Sequence, residues 1–317
     1  MSAEGGTRAV VAALFANLGI AITKFVAYFL TLSSSMLAEA VHSLADSGNQ
    51  LLLLWGGKAA KRAPTAKHQF GFGSERYLYG FVVSIVLFTV GGLFALYEAS
   101  HKWSHPEPIV GQWWWVPLAV LIVAIGLESR SFAVAIKESN QVRQGRSWGE
   151  FIRGSKSPEL PVILLEDAAA LCGLVFALFG VSLTLLTGDG RWDAVGTALI
   201  GVLLVLVAAV LAVEMKSLLI GESADPLVQE NIERAIVGDA SSNVERLIFT
   251  RTLHIGPDEL LVAAKFAMKQ AHSAQDVADT INAAEQRARA AAGAMHLVIF
   301  LEPDVYHPSV TKTPPGR

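Results

Sequence analysis

Apolar residues run in long stretches over the first two thirds of the chain and then give way to alternation. Six stretches are long enough to cross a ~30 Å hydrocarbon core, which takes roughly 20 helical residues. They lie near 8–31, 36–57, 77–100, 113–137, 159–187 and 193–219. Ser33-Ser34-Ser35 marks a tight turn between the first two, which are expected to form a hairpin. After about Leu219 the period changes. Asp225-Pro226 opens a helical pattern through Ile236, and Val244–His254 and Glu259–Met268 alternate as strands around the turn signal Gly256-Pro257-Asp258. Ser273–Ala292 carries an apolar helical stripe at Val277, Ile281 and Ala284, and His296–Leu301 reads as a third strand. The order α-β-β-α-β predicts a small α+β sandwich, a sheet covered by two helices. The chain is therefore expected to be a mainly α membrane protein: six transmembrane helices over 1–220, a cytosolic αββαβ, ferredoxin-like domain over 221–304, and a disordered tail over 305–317.

Composition supports the membrane reading. Apolar residues make up 52% of the chain and charged ones 17%, against about 25% charged in a soluble domain. The mean hydropathy is +0.45. A net charge of −3 gives no ground for nucleic-acid binding. The single cysteine, Cys172, excludes a disulfide framework and a multi-cysteine zinc site, and it reads as a small buried residue. The N-terminal apolar run is longer than a signal-peptide core and precedes no cleavage site, so it is expected to be a span rather than a leader. Basic residues set the orientation. Lys58, Lys61, Arg62, Lys67 and Arg76 lie between spans two and three, and Lys137, Arg143, Arg146, Arg153 and Lys156 between spans four and five. The connections on the other side hold only Lys102 and Arg191. This asymmetry predicts a multi-pass protein of the plasma (inner) membrane with both termini cytosolic, and Trp113-Trp114-Trp115 anchoring the outer interface.

Within span two, the stretch Leu37–Asn49, LAEAVHSLADSGN, interrupts the apolar pattern. His42 and Asp46 are four apart, so a helix stacks them on one face. Ionisable groups inside a span cost on the order of 3 kcal/mol each on insertion scales and are kept for ions or protons. Glu39 lies nearer the outer end and reads as snorkelling to water. Span five carries adjacent carboxylates, Glu166 and Asp167, at a similar depth. If spans two and five pack together, His42, Asp46 and Asp167 can close around one ion near the midplane. Glu166 points about 100° away from Asp167; it is open to three roles, a fourth ligand from the side, a proton carrier, or a partner for a neighbouring helix. One imidazole with two or three carboxylates suits Zn²⁺ and tolerates Mn²⁺, Fe²⁺, Co²⁺ or Cd²⁺, as transported substrate rather than prosthetic group. Protonation of the same ligands releases the metal, which makes protons the natural exchange partner. Lys24 and Glu128 read as partners for other helices or proton relays, and Asn17, Asn49 and Gln50 as interhelical hydrogen-bonding groups. No HExxH run and no serine or cysteine beside a base points to an enzyme.

The run Ser34-Ser35 with AEAVHSLAD, the paired carboxylates of LLEDAAALCG and the loop HQFGFGSER (His68–Arg76) resemble the cation diffusion facilitator family, and within it the zinc transporter 9-like branch. The resemblance implies homodimeric, alternating-access efflux of Zn²⁺ or a similar divalent ion from the cytosol in exchange for protons. It implies His42 and Asp46 as ligands from span two and Asp167 from span five. The family's second ligand of span five falls at Ile163, so the cage is one ligand short unless Glu166 replaces it. A transport-impaired sensor or scaffold is the alternative. Histidines that bind metal in the soluble domain of some members fall at Ile248, Lys265 and Phe300, so no regulatory site is expected there, with His254, His272 and His296 left as weak binders.

Overall fold

A computed structural model gives the fold. It describes residues 3–106, 108–109, 111–143, 145–269 and 273–306, with side chains from Asn17 onward. The chain divides into two compact units: Met1–Lys61 with Glu75–Lys216, and Arg62–Ser74 with the chain from Ser217 onward.

The first unit is helical. It contains α1 (Ala3–Thr31), α2 (Ser34–Ala60), α3 (Glu75–Val86), a π-helical stretch (Leu87–Leu93), α4 (Phe94–Ser104), α5 (Val116–Val142), α6 (Trp148–Gly154), α7 (Glu159–Thr187) and α8 (Arg191–Ile220). Among the described residues, four helical runs are long and apolar enough to cross a membrane: Glu75–Ser104, Val116–Val142, Glu159–Thr187 and Arg191–Ile220. Asn17–Thr31 adds a shorter apolar run, and α2, though 27 residues long, carries the polar stripe. Ile122, Val123, Leu206 and Val213 are 60–65% exposed. Such a surface suits hydrocarbon and not water.

α2 is the hub of this unit, packing against α1, α3, the π-helical stretch, α4 and α7. Its start is fixed by a capping network. Leu32 takes the left-handed conformation (φ 54°) that reverses the chain, and Ser33 caps α2 by accepting from Met36 N. Asp193, in the first turn of α8, accepts from Ser33 Oγ (2.9 Å), Ser34 N (2.7 Å), Ser34 Oγ (3.1 Å) and Ser35 N (3.2 Å). It thereby satisfies backbone donors that a helix start leaves without partners. Glycines allow close helix contacts. A Cβ on Gly92 would stand 2.7 Å from Val205, and one on Gly201 2.8 Å from Leu96, so the π-helical stretch and α4 press directly on α8. α6 was not anticipated. Its capping box, Ser147 with Glu150, is the local signal that encodes it.

The second unit holds α9 (Pro226–Val237), β1 (Val244–Gly256), β2 (Glu259–Met268), α10 (Ala274–Ala291) and β3 (His296–Asp304). The strands order β1-β2-β3, with β1 antiparallel and β3 parallel to β2. Leu260, Val262, Ala264 and Phe266 alternate inward, and their core includes Ile232 and Ile236 of α9 and Ala284 and Ala288 of α10. The elements follow the predicted order and lie within a few residues of the expected positions. The loop Arg62–Ser74 belongs to this unit because Ser74 Oγ donates to Ile255 O (3.1 Å) and Gly73 lies against Gly256. The tail beyond Tyr306 and His272 lie outside the described residues.

Candidate metal site within the helical unit

α2 projects its polar residues along one stripe, as the i, i+4 spacing requires. His42 is buried, and its Nδ1 lies 3.4 Å from Asp46 Oδ1. Neither ring nitrogen of His42, nor Asp46 Oδ1, makes a hydrogen bond. Buried polar atoms are nearly always paired, and each orphan costs about 1–3 kcal/mol. The helix thus holds an imidazole and a carboxylate with lone pairs free, which is a donor set for a cation.

α7 contributes two carboxylates that face different neighbours. Glu166 is buried, and its Oε1 accepts from Asn49 Nδ2 (2.7 Å), one turn beyond Asp46 on α2. Asp167 Oδ2 accepts from Ser131 Oγ of α5 (2.9 Å). Asp167 also lines a cavity of about 890 Å³ between α1, α5 and α7, with Asn17, Thr23, Glu128, Glu138 and Ile163. Ile163 shares Asp167's stripe and brings an apolar group to the position where the resemblance expects a ligand. Among the described residues, no three His, Cys, Asp or Glu side chains stand in a metal-holding arrangement. α2 and α7 pack together, with Glu166 bonded to Asn49 of α2 and Asp167 to Ser131 of α5.

Three features depart from expectation or were missed. Glu39 does not snorkel: it is 0% exposed, and its Oε2 accepts from Lys24 Nζ at 2.9 Å. The short path to water assumed for it is blocked by α1. Cys172 is exposed, not buried. Asp193 gave no signal because its partners lie some 160 residues away. In the second unit, His254 is buried with Nδ1 3.3 Å from Gly256 O, while His296 is exposed.

Residues 10–220 match the family model for the cation efflux transmembrane domain. Over 220 residues, 69% of this chain, the sequence is 32% identical to the human protein named proton-coupled zinc antiporter SLC30A9, mitochondrial. It is 34% identical to the Xenopus laevis counterpart over 228 residues, 71% of this chain. It is 29% identical to metal tolerance protein C4 of Arabidopsis thaliana over 256 residues, 79% of this chain. The matched regions span 38%, 40% and 54% of those three proteins.

Proposed function

The chain belongs to the cation efflux family, and we propose that it exports divalent transition-metal cations, Zn²⁺ foremost, in exchange for protons. The observation that carries this reading is buried His42 beside half-buried Asp46, with both ring nitrogens and Asp46 Oδ1 making no hydrogen bond. The names of the relatives, a zinc antiporter and a metal tolerance protein, agree with it. In this reading α1, α2, α3–α4, α5, α7 and α8 are six spans of a transport domain over 1–220. The αββαβ domain over 221–304 is cytosolic, both termini are cytosolic, and the membrane is the plasma (inner) membrane.

His42 and Asp46 are the α2 ligands, Asp167 is the α7 ligand, and Glu166 completes the set. Asp167 accepts from Ser131 through Oδ2, which leaves Oδ1 as its donor atom for a metal. Rocking of the helices then opens the site to the other side, where protons compete for the imidazole and carboxylates. A second reading, a sensor that binds metal without moving it, is favoured by Ile163, which puts an isoleucine where a ligand would complete the cage. Metal and proton flux in proteoliposomes separates the two. A transporter moves both ions and stops on His42→Ala, whereas binding without flux in the wild type selects the sensor.

A further inference from the structure

A lysine stands in the apolar face of α1 where it packs on α2. Lys24 is 0% exposed, and its ammonium donates to Glu39 Oε2 (2.9 Å) and Ser43 Oγ (2.7 Å). Glu39 is equally buried, and its Oε1 makes no hydrogen bond. That oxygen occupies space left by Gly173 of α7, where a Cβ would stand 2.6 Å from it. Three helices therefore meet at one charge pair. Ser43 directly follows His42, and Glu39 precedes His42 by one turn.

A buried ion pair adds little net stability, because desolvation offsets the attraction, whereas removing one partner strands the other charge. Stability is thus a poor reason for placing Lys24 here. We propose that Lys24 is the resident cation that sets the charge of the intramembrane metal site. It neutralises Glu39, keeps that carboxylate out of the ligand set, and so fixes how many negative charges the transported ion meets. The proposal rests on the reading of His42 and Asp46 as metal ligands. Lys24 touches no substrate; it determines affinity and release through Glu39.

Two single variants then have opposite effects. Lys24→Met leaves Glu39 uncompensated one turn from His42, so the site binds Zn²⁺ more tightly and releases it more slowly: KM and kcat both fall. Glu39→Gln leaves the ammonium uncompensated, so it repels the ion: KM rises. A unit charge acting on a divalent ion over several ångströms supports at least about tenfold in each direction. Lys24→Met/Glu39→Gln restores the balance and returns KM to within about threefold of wild type.

The test is Zn²⁺ uptake into proteoliposomes by wild type, both singles, the double, and His42→Ala. Opposed KM shifts with recovery in the double support the proposal. A KM raised in both singles with no recovery overturns it and leaves Lys24 a structural brace. If Lys24→Met does not assemble, Glu39→Gln and the double carry the same decision: KM raised in the first and restored in the second. The absence of Zn²⁺ uptake by wild type sinks the transport reading. Uptake that His42→Ala abolishes, without the opposed pattern, sinks the Lys24 proposal alone.

Discussion

At the scale of single residues, the site is a set of polar groups held against their preference. Both ring nitrogens of buried His42 and Oδ1 of half-buried Asp46 make no hydrogen bond, and function–stability trade-offs concentrate at such groups. Asp46→Ala is expected to abolish Zn²⁺ flux while thermal unfolding in detergent stays unchanged or moves upward. A lost flux with a collapsed unfolding temperature would assign Asp46 to folding instead. Asp193 behaves in the opposite way. It accepts four hydrogen bonds from Ser33, Ser34 and Ser35, so Asp193→Ala strands several donors and is expected to destabilise by about 3 kcal/mol or more. A lowered unfolding temperature checks this. The sequence shows the first of these sites and hides the second for one physical reason. His42 and Asp46 are joined by helical periodicity, which is local. The partners of Asp193, of Lys24 and of Glu166 are joined only by packing. Asn49 could be read as an interhelical group, but its match to Glu166 needed the fold.

At the scale of elements, the long helices of the first unit were legible from apolar runs, α10 from its apolar stripe and the strands from alternation, because burial dictates these patterns, whereas the short α6 was not. The π-helical stretch was not, since its sequence, LFTVGGL, is as compatible with a regular helix. Its position agrees with close packing on α8 through Gly92 and Gly201. A side chain at Gly201 would meet both Leu96 Cγ (2.8 Å) and Leu96 N (3.0 Å), and backbone yields less readily than a flexible side chain. Gly201→Val is expected to lower folded yield and unfolding temperature sharply. Gly126→Ala, in open space on α5, is the matched control and should leave both unchanged. Equal behaviour of the two variants would remove close packing as the reason for Gly201.

At the scale of the whole molecule, the covered and uncovered faces of the small sheet bear on assembly. Leu260, Val262, Ala264 and Phe266 of β2 belong to the core formed with α9 and α10. The residues between them point the other way, and the register Phe249↔Lys265↔Glu302 and Arg251↔Ala263↔Phe300 carries that face across all three strands. Phe249 and Phe300 are 46% and 57% exposed there. Lys265 lies between them, bonded to Asp304 (2.9 Å) and Glu302 (3.0 Å), and these carboxylates hold its ammonium above the usual lysine range. A raised pKa keeps the pair intact throughout the neutral range, with loss only as pH rises through the folded value. The face thus combines two half-exposed phenylalanines, a lysine matched by two carboxylates, and the exposed Arg251, whose guanidinium lies 5.9 Å from the centre of the Phe249 ring. The homodimer belongs to the proposed reading, and within that reading a second copy of the chain packs on this face. Phe249→Asp and Phe300→Asp each place a carboxylate on this face without touching the core around Val262 and Phe266. Each is expected to weaken dimerisation by at least about tenfold, read as a shift toward monomer mass by light scattering in detergent at dilute protein, with the strand content unchanged by circular dichroism. A dimer that keeps its mass in both variants moves the interface off the sheet. Monomer mass in the wild type at every concentration removes the dimer itself.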